Sequence, residues 1–185
     1  MNRNRNGSLY LHIPTFEELW YRRKMMQDPD TMSYNRGYGL DLEGYDNETG
    51  CIAFPEKDWA DWYAYFIGQE PERYYAYIVR ALDDVFIGEV NVHKNQTADW
   101  YEMGIVLEAK YRGMGYAAEA LRLLLDYAFE EMGADAVHND FEVERTAAVR
   151  AHLNAGFTEC RQENGILELM ISKEQYLSQK ADRSQ

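Results

Sequence analysis

Cysteine, proline and positive charge are scarce in this chain. Its two cysteines, Cys51 and Cys160, form no CxxC pair and are too few for a disulfide framework, so a reducing cytoplasm suits it. Nineteen Lys+Arg stand against 32 Asp+Glu, a formal charge of −13. That balance repels phosphate backbones and anionic lipid surfaces, which argues against nucleic acid and membranes as partners and favours a cationic one. No run approaches the ~20 apolar residues that span a bilayer, and the basic start MNRNRNGSLYLHIP lacks the apolar core of a secretory signal. His12, His93 and His138 sit singly on predicted strands without metal-ligand spacing, so no metal is expected. No catalytic cysteine or Ser/His/Asp order stands out.

What is present is enough for a core: 46% of the residues are hydrophobic and 14% aromatic. The sequence predicts a single domain over 1–178 with a polar, frayed tail over 179–185. A strand at 9–13 is followed by a helix from Thr15 to about Met26, with Phe16, Leu19 and Trp20 at helical spacing. Residues 28–55 carry Pro29 and glycines at 37, 39, 44 and 50, the pattern of a long loop with room for one helical turn. A second helix over 56–67 is aromatic, with Trp59, Trp62, Tyr63 and Phe66 at i, i+3, i+4, i+7, a spacing that assigns the tryptophans to packing. YYAYIVRAL, VFIGEVNVH and WYEMGIVL then read as three antiparallel strands. A helix over 115–132, a strand near 136–141, a helix over 146–155 and a final hairpin complete the order.

The stretch LEAKYRGMGYAAEAL, residues 107–121, starts a helix with no Ser, Thr, Asp or Asn cap. The first-turn N–H groups, with the positive end of the helix dipole, then form a site for an anion. Gly113 and Gly115 permit positive φ and close backbone approach, Arg112 adds charge, and Ala117 keeps the turn narrow. This physics points to a phosphate without saying which. A dinucleotide is one reading, since GMGYAA satisfies G-x-G-x-x-G/A and Asp140 lies at a ribose-holding distance. Against it, five residues separate Leu107 from Gly113, and a β-meander precedes the turn.

The other reading is acetyl-coenzyme A. The element order, with RGMGYA matching R/Q-x-x-G-x-G/A at Arg112, Gly115 and Ala117, resembles the GCN5-related N-acetyltransferase (GNAT) superfamily. YEMGIVLEAKYRGMGYAAEAL and AAVRAHLNAGF look like the branch that includes ribosomal-protein N-terminal acetyltransferases. The resemblance covers residues 74–172 well, and the N-terminal third only by order of elements. It implies an α/β (α+β) fold: a mixed, mostly antiparallel twisted sheet of about six to seven strands, flanked by helices and splayed between the fourth and fifth strands.

The resemblance also implies direct transfer of acetyl from acetyl-coenzyme A to a primary amine, of a small molecule or a protein N-terminus, with no metal. The pyrophosphate would rest on Arg112, Gly113, Met114, Gly115, Tyr116 and Ala117, and the pantetheine arm would pair with Ile105, Val106 and Leu107, helped by a bulge near Gly104. Glu102 occupies the position of a general base and His152 that of a proton donor to the leaving thiolate. A surface glutamate and a packed histidine are the structural alternatives. Two cofactor-contacting positions of the pattern depart here, to Arg145 and Ala148. Tyr34 and Asn35, in the 28–55 loop, are the expected acceptor contacts. The acceptor would be a cationic amine, and the family allows a homodimer. A non-catalytic acyl-coenzyme A sensor would keep the same glycine turn.

Overall fold

Strand β2 (Arg73–Arg80) is buried along nearly its whole length and β3 (Val85–Lys94) through its middle, because helices cover both faces of the sheet there. The computed structural model describes residues 7–183. β1 (Leu9–His12) joins β2, and β4 (Tyr101–Leu107) joins β3, all antiparallel. β5 (Ala136–Glu142), β6 (Thr158–Glu163) and β7 (Ile166–Ser172) complete a seven-stranded sheet in the order β1-β2-β3-β4-β5-β7-β6. Asp84 takes φ 55° in the β2–β3 turn, a left-handed conformation that Asp adopts more readily than most residues.

One face is covered by α4 (Tyr116–Glu130) and α5 (Thr146–Ala155). Helical spacing puts Ala120, Leu121, Leu124, Leu125 and Ala128 of α4 in one buried stripe, packed against Tyr101, Met103 and Leu107 of β4. Each such leucine contributes about 1.5–3 kcal/mol by leaving water. The other face carries α1 (Leu19–Met26) and α3 (Trp59–Phe66), with Tyr21 and Met25 packed on Tyr75 and Tyr77. Strand alternation therefore turns Glu102, Gly104 and Val106 toward the α1/α3 side.

The sheet is mixed: β4 and β5 run parallel and pair only at Tyr101↔Val137 and Glu102↔His138. Beyond Glu102 the two separate, while β5 pairs with β7 from Ala136 to Glu142. The splay expected from the sequence is there. The bulge expected near Gly104 is not, since the β3–β4 register runs unbroken from Gly88↔Leu107 to Lys94↔Tyr101.

One further expectation is corrected. The polar tail is helical as far as Arg183, in α6 (Lys173–Arg183), anchored by Tyr176, which is 1% exposed and donates to Asp126 at 2.8 Å. Positions 184 and 185, like the basic positions 1–6, lie outside the described residues. Residues 28–55 hold a single helical turn, α2 (Pro29–Met32), followed by a 3-10 turn at Ser33–Asn35, and Tyr45 bridges Ile52. Gly50 permits this folding back, because a Cβ there would lie 2.3 Å from the Met32 carbonyl oxygen.

Candidate active site

Helix α4 begins at Gly115, which takes φ 85° and ψ −9° and offers no side-chain cap. Gly113 is left-handed as well, with φ 76°. A Cβ on either glycine would meet nothing within 4 Å, so backbone conformation, not crowding, demands glycine here. The turn thus presents a helix N-terminus to open space, with Met114 60% exposed and Tyr116 and Ala117 half-buried behind it. Ile105, Val106 and Leu107 lie just upstream, on the part of β4 that has left β5.

Arg112 departs from its expected role. Its backbone N–H donates to the Ala109 carbonyl at 3.1 Å, so the free amides start at Gly113. Its guanidinium does not face the turn's opening: it donates to the carbonyls of Leu107 (3.2 Å), Asp30 (3.3 Å) and Thr31. Arg112 is a clamp between the glycine turn and α2. Burial holds its pKa below the ordinary guanidinium value.

Glu102 sits at the last paired position of the β4–β5 ladder, where the strands begin to separate. One carboxylate oxygen accepts from Asn95 Nδ2 at 2.5 Å and the other lies 3.3 Å from His93 Nε2. His93, assigned to a structural role from the sequence, therefore shares the carboxylate. Both side chains are half-exposed.

His152 does not meet the requirements of a donor. It is 2% exposed, wedged between Phe141 and Phe157, with Nδ1 2.9 Å from the Ala148 carbonyl and Nε2 2.9 Å from Asn139 Nδ2. An amide donor on Nε2 and a carbonyl on Nδ1 fix the neutral Nδ1–H tautomer. Burial, partly opposed by the Ala148 carbonyl, lowers its pKa, and both ring nitrogens are engaged by protein partners. The packed alternative is the one the geometry meets.

Tyr34 and Asn35 lie on the 3-10 turn after α2. Tyr34 is pushed up to about 12 by burial and lies under the Arg145 guanidinium, 5.5 Å from its ring centroid, with Tyr38 5.0 Å away on the same cation. Arg145, which stands at a departure from the expected cofactor pattern, so ties the start of α5 to the 33–38 segment. The Asn35 carbonyl accepts from Tyr45.

A polar cluster that sequence reasoning missed lies on the sheet face shared with Glu102. Glu89, in the middle of β3 and 4% exposed, accepts from the Arg22 guanidinium of α1 and the Tyr75 hydroxyl of β2. Arg22 stacks over Trp62 at 4.7 Å. Burial opposes its charge, but Glu89 and Tyr75 outweigh that and hold its pKa above the ordinary value. The signal was in the sequence: VFIGEVNV places one glutamate inside an apolar strand. Trp62, assigned to packing, lines a cavity of about 150 Å3 together with Arg22, Tyr75 and Glu89.

The sequence pattern of the acetyltransferase (GNAT) domain family matches residues 12–158. The chain belongs to this family. Among solved structures, this GNAT chain is similar to the spermidine N-acetyltransferase of Vibrio cholerae in complex with CoA and spermine (TM-score 0.71, 18% identity, 93% of this chain and 99% of that one). It is also similar to a GNAT-family acetyltransferase of Bacillus anthracis (TM-score 0.66, 20% identity, 91% and 96%). Both likenesses concern the fold. A curated relative, "Uncharacterized N-acetyltransferase YnaD" of Bacillus subtilis, is 38% identical over 50 residues, 27% of this chain and 29% of that protein.

The residues of this GNAT domain fit an acyl-coenzyme A. An uncapped helix start with two left-handed glycines suits a diphosphate, and the edge of β4 freed by the splay suits an extended arm with amide groups. Among the described residues no helix is long and apolar enough to cross a membrane.

Proposed function

We propose that this chain is an acetyl-coenzyme A-dependent N-acetyltransferase that moves acetyl directly from the thioester to a primary amine. The observation that carries this reading is the adjacency of the open N-terminus of α4 to the strand edge where β4 leaves β5. Main-chain groups of Gly113 to Ala117 would hold the diphosphate, and those of Ile105 to Leu107 the pantetheine. The acceptor would approach from the α1/α3 side of the sheet, toward which Glu102 points.

An alkylammonium of pKa ~10.4 costs roughly 4–5 kcal/mol to deprotonate at neutral pH. Glu102, backed by His93, is the base in this proposal. The leaving thiolate, of pKa roughly 8.5, takes its proton from solvent or from the attacking nitrogen, which must shed one to become the amide, so the commitment of His152 to packing does not disable the reaction. The relatives named as spermidine N-acetyltransferases support an amine acceptor, which is a cation in its resting state.

Thiol release from acetyl-coenzyme A across a panel of amines tests the reading. The expected result is turnover with at least one amine, and a melting temperature raised by coenzyme A but not by NAD(H). Tight coenzyme A binding with no turnover on any amine would make the chain a sensor instead.

A further inference from the structure

The cavity above Glu89 bears on which amine is acetylated, an inference that rests on the reading just given. Asn91 lines it, with its amide over Gly104: a Cβ on that glycine would be 2.8 Å from Asn91 Nδ2. Gly104 and Glu102 are the β4 partners of Asn91 and His93, so the cavity opens beside the point where the strands splay. Its size of about 150 Å3 suits one small head group, not a whole ligand.

The charges in its wall are unbalanced. Glu89 is matched by Arg22, which leaves the guanidinium of Arg73 in the lining. Arg73 is held over the Tyr65 ring at 3.6 Å, and among the described residues no carboxylate forms an ion pair with it. Arg22 keeps its buried Nε without a hydrogen-bond partner. A guanidinium orientated by an aromatic face, with its N–H fork open, matches a planar carboxylate in two-point contact. A second ammonium in the same place would face a like charge, which sets this cavity against diamines and polyamines.

We propose that the acceptor is an amine that also carries a carboxylate, an amino-acid-type substrate, and that Arg73 is the residue that selects it. The carboxylate docks on Arg73 between Tyr65 and His93, and the amine end reaches past Asn91 toward Glu102 and the splay.

The test offers each of the twenty amino acids as free acid, carboxamide and decarboxylated amine, with spermidine alongside, to wild type, Arg73→Met and Arg73→Lys. In wild type the best acid should exceed its amide and its decarboxylated amine at least tenfold in kcat/KM, mainly through KM. Arg73→Met should bring the acid-to-amide ratio near one, and Arg73→Lys should restore part of it. A wild-type ratio below about two, or spermidine as the best acceptor, overturns the proposal while leaving the acetyltransferase reading intact. A thermal melt with the N-acetyl derivative of each amino acid and its amide needs no turnover. If no amine is acetylated but the acids alone raise the wild-type melting temperature, the site stands and the activity reading falls. If neither turnover nor that difference is seen, both fall.

Discussion

Arg112 and Thr31, 81 residues apart in sequence, hold each other's segments: the guanidinium donates to the Thr31 carbonyl, and Thr31 Oγ1 accepts from the Ala109 N–H at 3.0 Å. Thr31 is fully buried and also donates to Asp28, the cap of α2. The glycine turn is thus built against α2 rather than hanging free.

Arg112→Met should therefore act on both segments. Hydrogen bonds to a charged group contribute about 1.5–3 kcal/mol together with the cost of leaving partners unpaired, so a loss of that order is expected in chemical denaturation. The coenzyme A affinity should fall with it. Arg112→Lys should not rescue, since a point charge cannot serve carbonyls of Leu107, Asp30 and Thr31 at once. Full rescue by lysine would contradict the clamp.

Gly115→Ala places a Cβ on a residue at φ 85° with no steric neighbour. The expected cost is the left-handed penalty alone, about 1–2 kcal/mol. Calorimetry with coenzyme A should show weaker binding than wild type. An unaltered affinity would mean that the helix start does not hold the diphosphate.

His152 makes stability depend on pH. Burial depresses its folded pKa below the ordinary 6.5, so the folded state prefers the neutral ring. Its contribution is present in full above about 6.5 and is lost as pH falls through the depressed folded value. The urea midpoint should drop between pH 7.5 and 5, and the wild-type minus His152→Gln difference should shrink over that window. Because the residue is structural, kcat at pH 7.5 should change far less than stability.

Glu89→Ala leaves the Arg22 charge without its carboxylate under Trp62, and breaking a buried pair costs about 3–5 kcal/mol. Removing both charges as Arg22→Met with Glu89→Leu should restore much of the loss. A double variant as unstable as the single would show that the pair is not coupled.

Glu102→Gln keeps the Asn95 contact and removes the base. If the proposed role holds, kcat falls by about 10²–10⁴ at pH 7 and the ascending limb of the pH–rate profile moves to higher pH. An unchanged profile removes Glu102 from the mechanism.

The order of elements was legible because the unbroken aromatic and β-branched run in YYAYIVRA and the helical spacing in AEALRLLLDYA are local patterns. GMG was legible for the same reason: left-handed glycines at an uncapped helix start carry their meaning within a few residues. Side-chain roles fared differently. His152 as a donor and Arg112 as a phosphate ligand were inferred from position in a motif, and both side chains are taken by partners that the motif does not contain, Asn139 and Ala148 for one, Asp30 and Thr31 for the other.

The sequence by itself therefore determined the elements, their order and the uncapped glycine turn, since those depend on backbone preference and on burial patterns a few residues long. Only the tertiary structure decided that α2 supports the turn, that Glu102 meets His93 where β4 leaves β5, and that Arg22, Arg73 and Glu89 surround one cavity. Those relationships join residues up to about 80 positions apart, and burial, charge pairing and hydrogen bonding are settled only once the sheet has brought them within reach.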